Sequence, residues 1–306
     1  MFSSSKPSPR RKTTHNRTTR KASASKRSSS AIVHKKSKSS KKYFSRKRRK
    51  ESRNMPLWLR NLLAILIAIL FSYTFYHFFI SPYSYRWKAC DGRKEYGVCL
   101  PCGYAVHGID ISHYQDNINW DTLVSRQNEA FPICFVFIKA TEGRDHGDAA
   151  FYRNFREARS HGFICGAYHF YNPNSDALQQ ANFFIHTVKL EPGDLPPVLD
   201  VESKGHNNKN ELQRNVKLWL ERVGAHYGVK PILYTSYKFR NSYLNDSLFN
   251  SYPYWIAHYY VDSITYKRSW KFWQHSNVGS VPGIRRNVDL NVFNGSLEEL
   301  MDMTLK

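Results

Sequence analysis

The first 54 residues have few large apolar side chains and almost no acidic ones. They contain 20 Lys or Arg residues and a single acidic residue, Glu51. With so little apolar surface to bury, this segment cannot offset the entropy that ordering its chain would cost. The composition therefore excludes a folded domain here and predicts a disordered basic tail over residues 1–56.

The excess of positive charge does not continue beyond this tail. The whole chain has a net charge of +22, but after Arg60 it contains 25 basic and 23 acidic residues. A nearly neutral remainder makes nucleic acid an improbable partner. The run Arg46–Lys50 is typical of a solvated positive tail beside a membrane, with a nucleic-acid-binding arm or a nuclear targeting signal as the alternative.

Residues 61–80 contain no Lys, Arg, Asp or Glu. The apolar stretch that includes them, residues 57–80, would rise about 30 Å as a helix, which matches the core of a bilayer. Trp58 and Tyr83 flank it, as interfacial aromatic residues do. No small-x-small cleavage pattern follows Ile80, so we predict an uncleaved transmembrane signal anchor over residues 57–80 rather than a removed signal peptide.

The charge on either side of this span predicts its orientation. Because positively charged segments stay in the cytoplasm, the basic tail is expected there. Residues 81–306 are then periplasmic or extracellular. The sequence therefore indicates a single-pass protein of the inner (cell) membrane.

Cysteine is scarce, with five residues in the chain. Two of the three in the predicted linker 81–105 could close a small loop in an oxidising compartment. Alternatively, Cys99 and Cys102 could bind zinc with Cys90 and His107, but no second cysteine pair supports this, and we expect no metal and no cofactor. Two further cysteines lie in apolar strand-like runs and are predicted to be buried thiols: Cys134 and Cys165.

From residue 106 onward, short apolar runs alternate with amphipathic stretches. Helical periodicity covers residues 149–161, 175–189 and 210–227. Eight strands are predicted, at residues 106–112, 134–141, 163–171, 196–202, 231–236, 252–259, 270–276 and 287–293. This alternation indicates an α/β fold over residues 106–306, an irregular (β/α) TIM-like barrel with helices short or missing in its last third. A doubly wound open sheet is the alternative.

Acidic residues lie at or near the ends of three predicted strands: Asp110, Asp200, Glu202 and Asp289. The sharpest pattern is Asp200-Val201-Glu202, because residues two apart on a strand share a face. Two carboxyl groups so close repel each other, which raises the pKa of one and leaves the other charged. Glycoside hydrolysis needs that combination of a proton donor and an anion.

Aromatic residues make up 15% of the chain. Their planes pack on the apolar faces of sugar rings, so the excess favours a carbohydrate ligand. We expect three of them to line sugar subsites: Trp255, Tyr259 and Trp273. Three others are expected in the core: Phe170, Trp219 and Phe272.

Eight motifs in order carry a family resemblance. They are GIDISHYQ (108–115), FIKATEG (137–143), GAYHFY (166–171), PPVLDVE (196–202), PILYTS (231–236), YWIAHY (254–259), FWQHS (272–276) and VDLNVF (288–293). In this order they resemble glycoside hydrolase family 25, the lysozymes of the Chalaropsis type. The resemblance runs from about residue 107 to residue 293.

This resemblance implies a flattened barrel that hydrolyses the β-1,4 bond between N-acetylmuramic acid and N-acetylglucosamine in peptidoglycan. It implies that Glu202 is the general acid and that Asp200 stabilises positive charge or orients the substrate acetamido group. Asp110 and Asp289 would hold the geometry and charge of the site. No protein nucleophile would be required if the substrate's own N-acetyl oxygen attacks. Three positions match groove-lining residues of the family: Tyr168, Trp255 and Gln274.

One departure from the family concerns architecture. Many secreted members carry C-terminal wall-binding repeats, whereas this chain has a basic tail and an apolar span. We therefore expect turnover of the cell's own wall. A non-catalytic peptidoglycan-binding membrane protein is the alternative, although all four acids are present. A membrane protein that binds nucleic acid through its tail is a third hypothesis.

Overall fold

The computed structural model describes residues 55–81, 90, 93–265 and 270–306. The predicted disorder of the tail falls almost entirely outside the described residues. Within these residues, eleven strands are numbered in chain order: β1 Lys94–Glu95, β2 Val98–Cys99, β3 Val106–Ile111, β4 Ile133–Glu142, β5 His146–Gly147, β6 Ile164–Phe170, β7 Val198–Asp200, β8 Ile232–Ser236, β9 Tyr254–Ala257, β10 Phe272–Gly279 and β11 Val288–Phe293. All eight strands predicted from the sequence are confirmed.

Seven α-helices occur among the described residues. They are α1 Leu57–Phe75, α2 Trp120–Arg126, α3 Phe151–Ser160, α4 Ala177–Thr187, α5 Lys209–Tyr227, α6 Tyr237–Tyr243 and α7 Leu297–Asp302. The three helices predicted for the soluble part correspond to α3, α4 and α5. The other helices after residue 81 have six or seven residues. Two turns are too few for a helical period to stand out in the sequence.

Helix α1 continues into a π-helical turn, Tyr76–Ile80, and none of its residues is buried. Together they form a stretch of 24 residues, Leu57–Ile80, with a mean hydropathy of 2.0 in its most apolar window. By length and composition, this stretch is able to cross a membrane.

Eight of the strands form a closed, barrel-like sheet in the order β3-β4-β6-β7-β8-β9-β10-β11, with β11 pairing back to β3. The alternative of an open, doubly wound sheet is therefore wrong. Strand β11 runs antiparallel to both of its neighbours, whereas the other pairs in the ring are parallel. The segment 280–287 between β10 and β11 is too short for a parallel crossover, so the chain turns back on itself. The barrel is thus more irregular than a repeated (β/α) unit.

Aromatic rings fill the inside of the barrel below the cleft. Phe135 and Phe137 of β4 are fully buried. Each lies opposite a glycine on the neighbouring strand: Gly108 pairs with Phe135, and Gly166 pairs with Phe137. A Cβ atom on either glycine would come within 2.6 Å of the facing ring. Glycine is required at both positions because the ring occupies the space of the missing side chain.

A hairpin packs on the outside of the barrel within the predicted linker 81–105. Strands β1 and β2 pair in antiparallel fashion around Tyr96 and Gly97, which both have positive φ. The Tyr96 side chain is 4% exposed, and its hydroxyl donates to the Phe131 carbonyl at 2.8 Å. The Ser280 N–H donates to the Tyr96 carbonyl at 2.7 Å. From residue 93 onward, this segment is therefore part of the folded domain.

A disulfide joins Cys90 to Cys99 at the base of this hairpin. It resolves the pairing that the sequence left open, and it removes Cys99 from the suggested zinc set, because a disulfide sulfur is not a thiolate ligand. Cys102 is an exposed thiol. Of the two cysteines predicted to be buried, Cys165 is buried and Cys134 is half-buried.

Candidate active site

The four acids predicted from the sequence line one cleft at the carboxyl ends of the parallel strands. Asp110 comes from β3 and Asp289 from β11; Asp200 ends β7, and Glu202 follows two residues later. The cleft has a volume of about 220 Å³. The barrel thus brings acids that are far apart in the chain together in one small cleft.

Asp110 and Asp289 lie opposite each other across the β3–β11 pair. The Gln274 side-chain amide donates to both, at 2.8 Å to Asp110 and 3.2 Å to Asp289. Asn291 donates a further hydrogen bond to Asp110 at 2.8 Å. Trp255 orients Asn291 by donating from its indole N–H to the amide oxygen at 2.8 Å.

Gln274 is itself held by two tyrosines. Its Oε1 accepts from the Tyr234 hydroxyl at 2.8 Å and from the Tyr259 hydroxyl at 2.5 Å. An amide oxygen has two lone pairs, so these two donors satisfy it and turn the amide NH₂ towards the carboxyl groups. The arrangement fixes the direction of the hydrogen bonds that Gln274 donates to Asp110 and Asp289.

Burial raises the pKa of Asp110 and of Asp289. Their carboxyl groups also hydrogen-bond to each other, and the charge on Asp110 raises the pKa of Asp289 further. Two carboxyl groups in contact cannot both ionise cheaply. The pair therefore shares one proton.

The alternation of side chains at the end of β7 is confirmed. Asp200 is 6% exposed. Val201, by contrast, is fully buried in the outer core, the hydrophobic cluster between the barrel strands and the helices. Although β7 ends at Asp200, two hydrogen bonds from β8 hold the next residue: Val201 N–H donates to the Tyr234 carbonyl at 3.0 Å, and the Thr235 hydroxyl donates to the Val201 carbonyl at 2.7 Å. Glu202 follows directly and lines the cleft, where it remains exposed to solvent.

The pKa shifts of Asp200 and Glu202 differ from the sequence expectation, which placed the raised pKa on one of these two acids. Burial raises the pKa of both, and repulsion from Glu202 raises that of Asp200 further. The shift is larger for Asp200. Moreover, Asp200 Oδ1 is buried and has no hydrogen-bond partner among the described residues.

Two aromatic predictions were wrong. Trp273 does not line a subsite; it is fully buried and donates its indole N–H to the His258 carbonyl at 2.8 Å. Phe170, predicted in the core, is half-buried and lines the cleft. The predicted core positions of Trp219 and Phe272 are confirmed. Both errors concern strand faces, which an aromatic-rich run does not reveal because it lacks a polar alternation.

The other predicted groove residues lie at the site. Tyr168 and Trp255 line the cleft, although Trp255 is only 2% exposed, and Tyr259 reaches it through Gln274. Two further residues of the site, Tyr234 and Asn291, were not predicted from the sequence. Asn291 lies two residues after Asp289 and so shares its face, a signal that the period of a strand provides.

A closed barrel with clustered, hydrogen-bonded acids at the carboxyl ends of its strands is the arrangement of a glycoside hydrolase. The family model of glycosyl hydrolases family 25 matches residues 109–284. The chain therefore belongs to this family and is a glycoside hydrolase. The hairpin β1–β2 precedes the matched residues.

Individual relatives agree with this membership. Uncharacterized protein YegX of Escherichia coli (strain K12) is 42% identical over 212 residues, which cover 68% of this chain and 76% of that protein. Lysozyme M1 of Streptomyces globisporus is 33% identical over 214 residues, covering 64% of this chain and 70% of that protein. The solved structure of a family 25 glycosyl hydrolase from Bacillus anthracis superposes with a TM-score of 0.60 at 32% identity, covering 66% of this chain and 94% of that one.

Proposed function

We propose that this protein is a peptidoglycan hydrolase, an N-acetylmuramidase that cleaves the β-1,4 bond between N-acetylmuramic acid and N-acetylglucosamine. Relatives named lysozyme and N,O-diacetylmuramidase support this substrate. The observation that carries the proposal is the pair Asp200 and Glu202 in one cleft, the first buried and the second exposed.

Glu202 is the general acid in this proposal. It stands at the open side of the cleft, where it can reach a glycosidic oxygen, and partial desolvation by the cleft walls raises its pKa although the side chain remains exposed to solvent. A raised pKa keeps the proton that the leaving group needs.

Asp200 assists from beneath the substrate. Its unpartnered Oδ1 is a ready acceptor for the N–H of a 2-acetamido group. A hydrogen bond donated to the carboxylate favours its charged form, so substrate binding lowers the pKa of Asp200. The proton then remains on Glu202, and the Asp200 anion stabilises the positive charge that develops as the bond breaks. No protein nucleophile is needed if the acetamido oxygen attacks the sugar.

The remaining residues hold this arrangement. Asp110 and Asp289 contribute one negative charge through their shared proton and fix Gln274 between them. The walls that receive the sugar are aromatic and amide groups: Tyr168, Trp255, Tyr259 and Gln274. We assign the acids to the catalytic machinery and these four to substrate binding.

The membrane part of the proposal rests on the apolar stretch and the charge that precedes it. Residues 57–80 anchor the protein in the inner membrane, with the basic tail 1–56 in the cytoplasm. The folded domain, which begins with the hairpin at residue 93 and contains the catalytic residues 106–306, then lies on the outer side of the membrane. An enzyme fixed there acts on the cell's own wall.

The direct test is hydrolysis of purified peptidoglycan by the full-length protein in detergent, with the new reducing ends identified by mass. Glu202→Gln keeps the shape but removes the transferable proton, so turnover should fall by about 10²–10⁴ while binding survives. Asp200→Asn should also lose turnover. The basic limb of its pH–rate profile should move to lower pH, because the charge that repels the Glu202 carboxylate is gone and the pKa of Glu202 falls.

Thermal melts establish that each variant is folded. Near-normal turnover by folded Glu202→Gln would remove Glu202 as the donor. Binding of peptidoglycan without any release of reducing ends by the wild type would favour the alternative, a non-catalytic wall-binding protein.

A further inference from the structure

Lys139 is the one cation among the described residues that line the acidic cleft. It lies on β4, and its side chain is 10% exposed. A buried ammonium group loses its hydration and must gain compensating interactions. Its partners therefore determine what its charge does.

Two partners hold the Lys139 ammonium group. Its Nζ donates to Glu142 Oε2 at 2.7 Å and lies 4.8 Å from the centre of the Phe170 ring. The Glu142 side chain is 42% exposed, so it sits towards solvent from the lysine. The ammonium group thus interacts both with the exposed Glu142 carboxylate at the cleft mouth and with the acids that line the cleft.

The acids inside respond to this charge. Burial raises the pKa of Glu202 and of Asp200, and Lys139 opposes both shifts. Glu142 acts in the other direction and raises the pKa of Asp200. The other titratable groups that face the cleft are all acidic or phenolic: Asp110 from β3, Tyr114 after β3, Tyr168 from β6, Tyr234 from β8, Tyr259 after β9 and Asp289 from β11. His169 from β6 also responds to the charges of Lys139 and Glu142, but it is fully buried outside the cleft lining.

We propose that Lys139 and Glu142 are positioning residues that set the pH range of hydrolysis. Lys139 favours the charged forms of Asp200 and Glu202, and Glu142 weakens this effect by pairing with the lysine at the cleft mouth. The proposal rests on the function of Glu202 and Asp200 proposed above. It assigns the pair no contact with the reacting atoms.

Opposite substitutions should move the pH–rate profile in opposite directions. Lys139→Met removes the positive charge, so both limbs should move to higher pH. A charge a few ångströms away shifts a pKa by on the order of one unit in a partly buried site. Glu142→Gln frees the lysine to act on the cleft, so both limbs should move to lower pH by a smaller amount.

The measurement is turnover of purified peptidoglycan from pH 3 to 10 by the full-length protein in detergent. Lys139→Arg should restore the wild-type limbs because it retains the charge. In the Lys139→Met background, Glu142→Gln should shift the limbs less than it does alone. The matched control is Lys217→Met on α5. Lys217 Nζ likewise pairs with a glutamate, Glu221 Oε1 at 3.2 Å, and lies 5.0 Å from the centre of an aromatic ring, that of Tyr252. This control should leave both limbs in place.

Each outcome separates this proposal from the proposed function. If Glu202→Gln is inactive but Lys139→Met and Glu142→Gln leave the limbs in place, or move them in the same direction, the inference is wrong and the function stands. If folded Glu202→Gln keeps near-normal turnover, Glu202 is not the proton donor, and the roles of Glu202 and Asp200 on which this inference rests are wrong. Should Lys139→Met fail to fold, the downward shift of Glu142→Gln alone decides the inference.

Discussion

Single residues determine how tightly the inside of the barrel can close. The pairs Gly108–Phe135 and Gly166–Phe137 place a ring against bare backbone on two adjacent strand pairs. The rings are fully buried and packed against further aromatic residues, so they cannot swing away. A methyl group at either glycine must displace a ring or the strand itself.

Gly166→Ala should accordingly destabilise the domain, since its Cβ would come within 2.5 Å of the Phe137 ring. Overpacking of a core costs about 1–3 kcal/mol. The matched control is Gly147→Ala on β5, where nothing lies within 4 Å of the new Cβ. Thermal melts of the two variants and the wild type compare them. Equal melting temperatures for both variants would contradict this account of the packing.

Because Asp110 and Asp289 share a proton, we expect Asp289 to lower the stability of the folded domain at high pH. The folded-state pKa of Asp289 is raised above its unfolded value by burial and by Asp110. Its contribution to stability is therefore fully present below the unfolded pKa and is lost as the pH rises through the folded pKa. Asp289→Asn cannot ionise, so its melting temperature should exceed that of the wild type at pH 8 and match it near pH 4.

The expected gain is a few degrees, since about 1 kcal/mol shifts the melting temperature of a domain of this size by about 2–4 °C. Asp145→Asn serves as the control, because its side chain is 79% exposed and should show no such trend. A constant difference between Asp289→Asn and wild type across this pH range would show that the two acids do not share a proton.

At the scale of elements, the hairpin β1–β2 covers the barrel before the residues that the family model matches. Its turn, Tyr96-Gly97, has positive φ at both positions, as a type I′ hairpin requires. The Tyr96 ring belongs to the large outer core, and its hydroxyl satisfies the Phe131 carbonyl. Tyr96 therefore binds the hairpin to the domain, together with Val98, which packs on the same core, and Glu95, which accepts from Asn128 at 2.7 Å.

Tyr96→Ala should lower the free energy of unfolding by about 3–5 kcal/mol, as truncation of a buried ring does. Tyr96→Phe keeps the ring and should cost only about 0.5–1.5 kcal/mol for the lost hydrogen bond. Tyr152→Ala is the comparison, since Tyr152 is 68% exposed although its hydroxyl also donates to a carbonyl. Urea unfolding of the three variants measures the difference. Similar costs for the two alanine variants would place the hairpin outside the cooperative core.

At the scale of the whole molecule, the basic tail and the apolar stretch are the basis of the membrane topology proposed above. Residues 1–54 carry 20 basic residues and one acidic residue, whereas the chain after Arg60 is nearly neutral. This asymmetry holds the N-terminus in the cytoplasm if residues 57–80 span the membrane.

A reporter that is active only outside the cytoplasm should therefore be active when fused after Lys306. The same reporter fused after residue 56, before the apolar stretch, should be silent. Activity measured in intact cells tests both fusions. A silent C-terminal fusion that is nonetheless produced in full would reverse the topology and remove peptidoglycan as the substrate.

The sequence by itself determined the eight strands, the three longer helices of the domain and the acids at strand ends. These features are local, because burial on both faces, a period of 3.6 and the alternation Asp200-Val201-Glu202 are written in neighbouring residues. It also located the pair Asp110 and Asp289 through the family resemblance. The short helices and the Tyr-Gly hairpin escaped, since they have too few residues for a period or lack the usual Asn-Gly turn.

Only the tertiary structure decided how the sheet closes, which cysteines pair and which of Asp200 and Glu202 has the larger pKa shift. Strand β11 runs antiparallel to β10 and closes the sheet by pairing with β3, which lies far away in the chain. The larger pKa shift falls on Asp200 because the barrel buries it while leaving Glu202 at the open side. Burial and distance between residues far apart in the chain set these properties, and neither quantity exists until the barrel is closed.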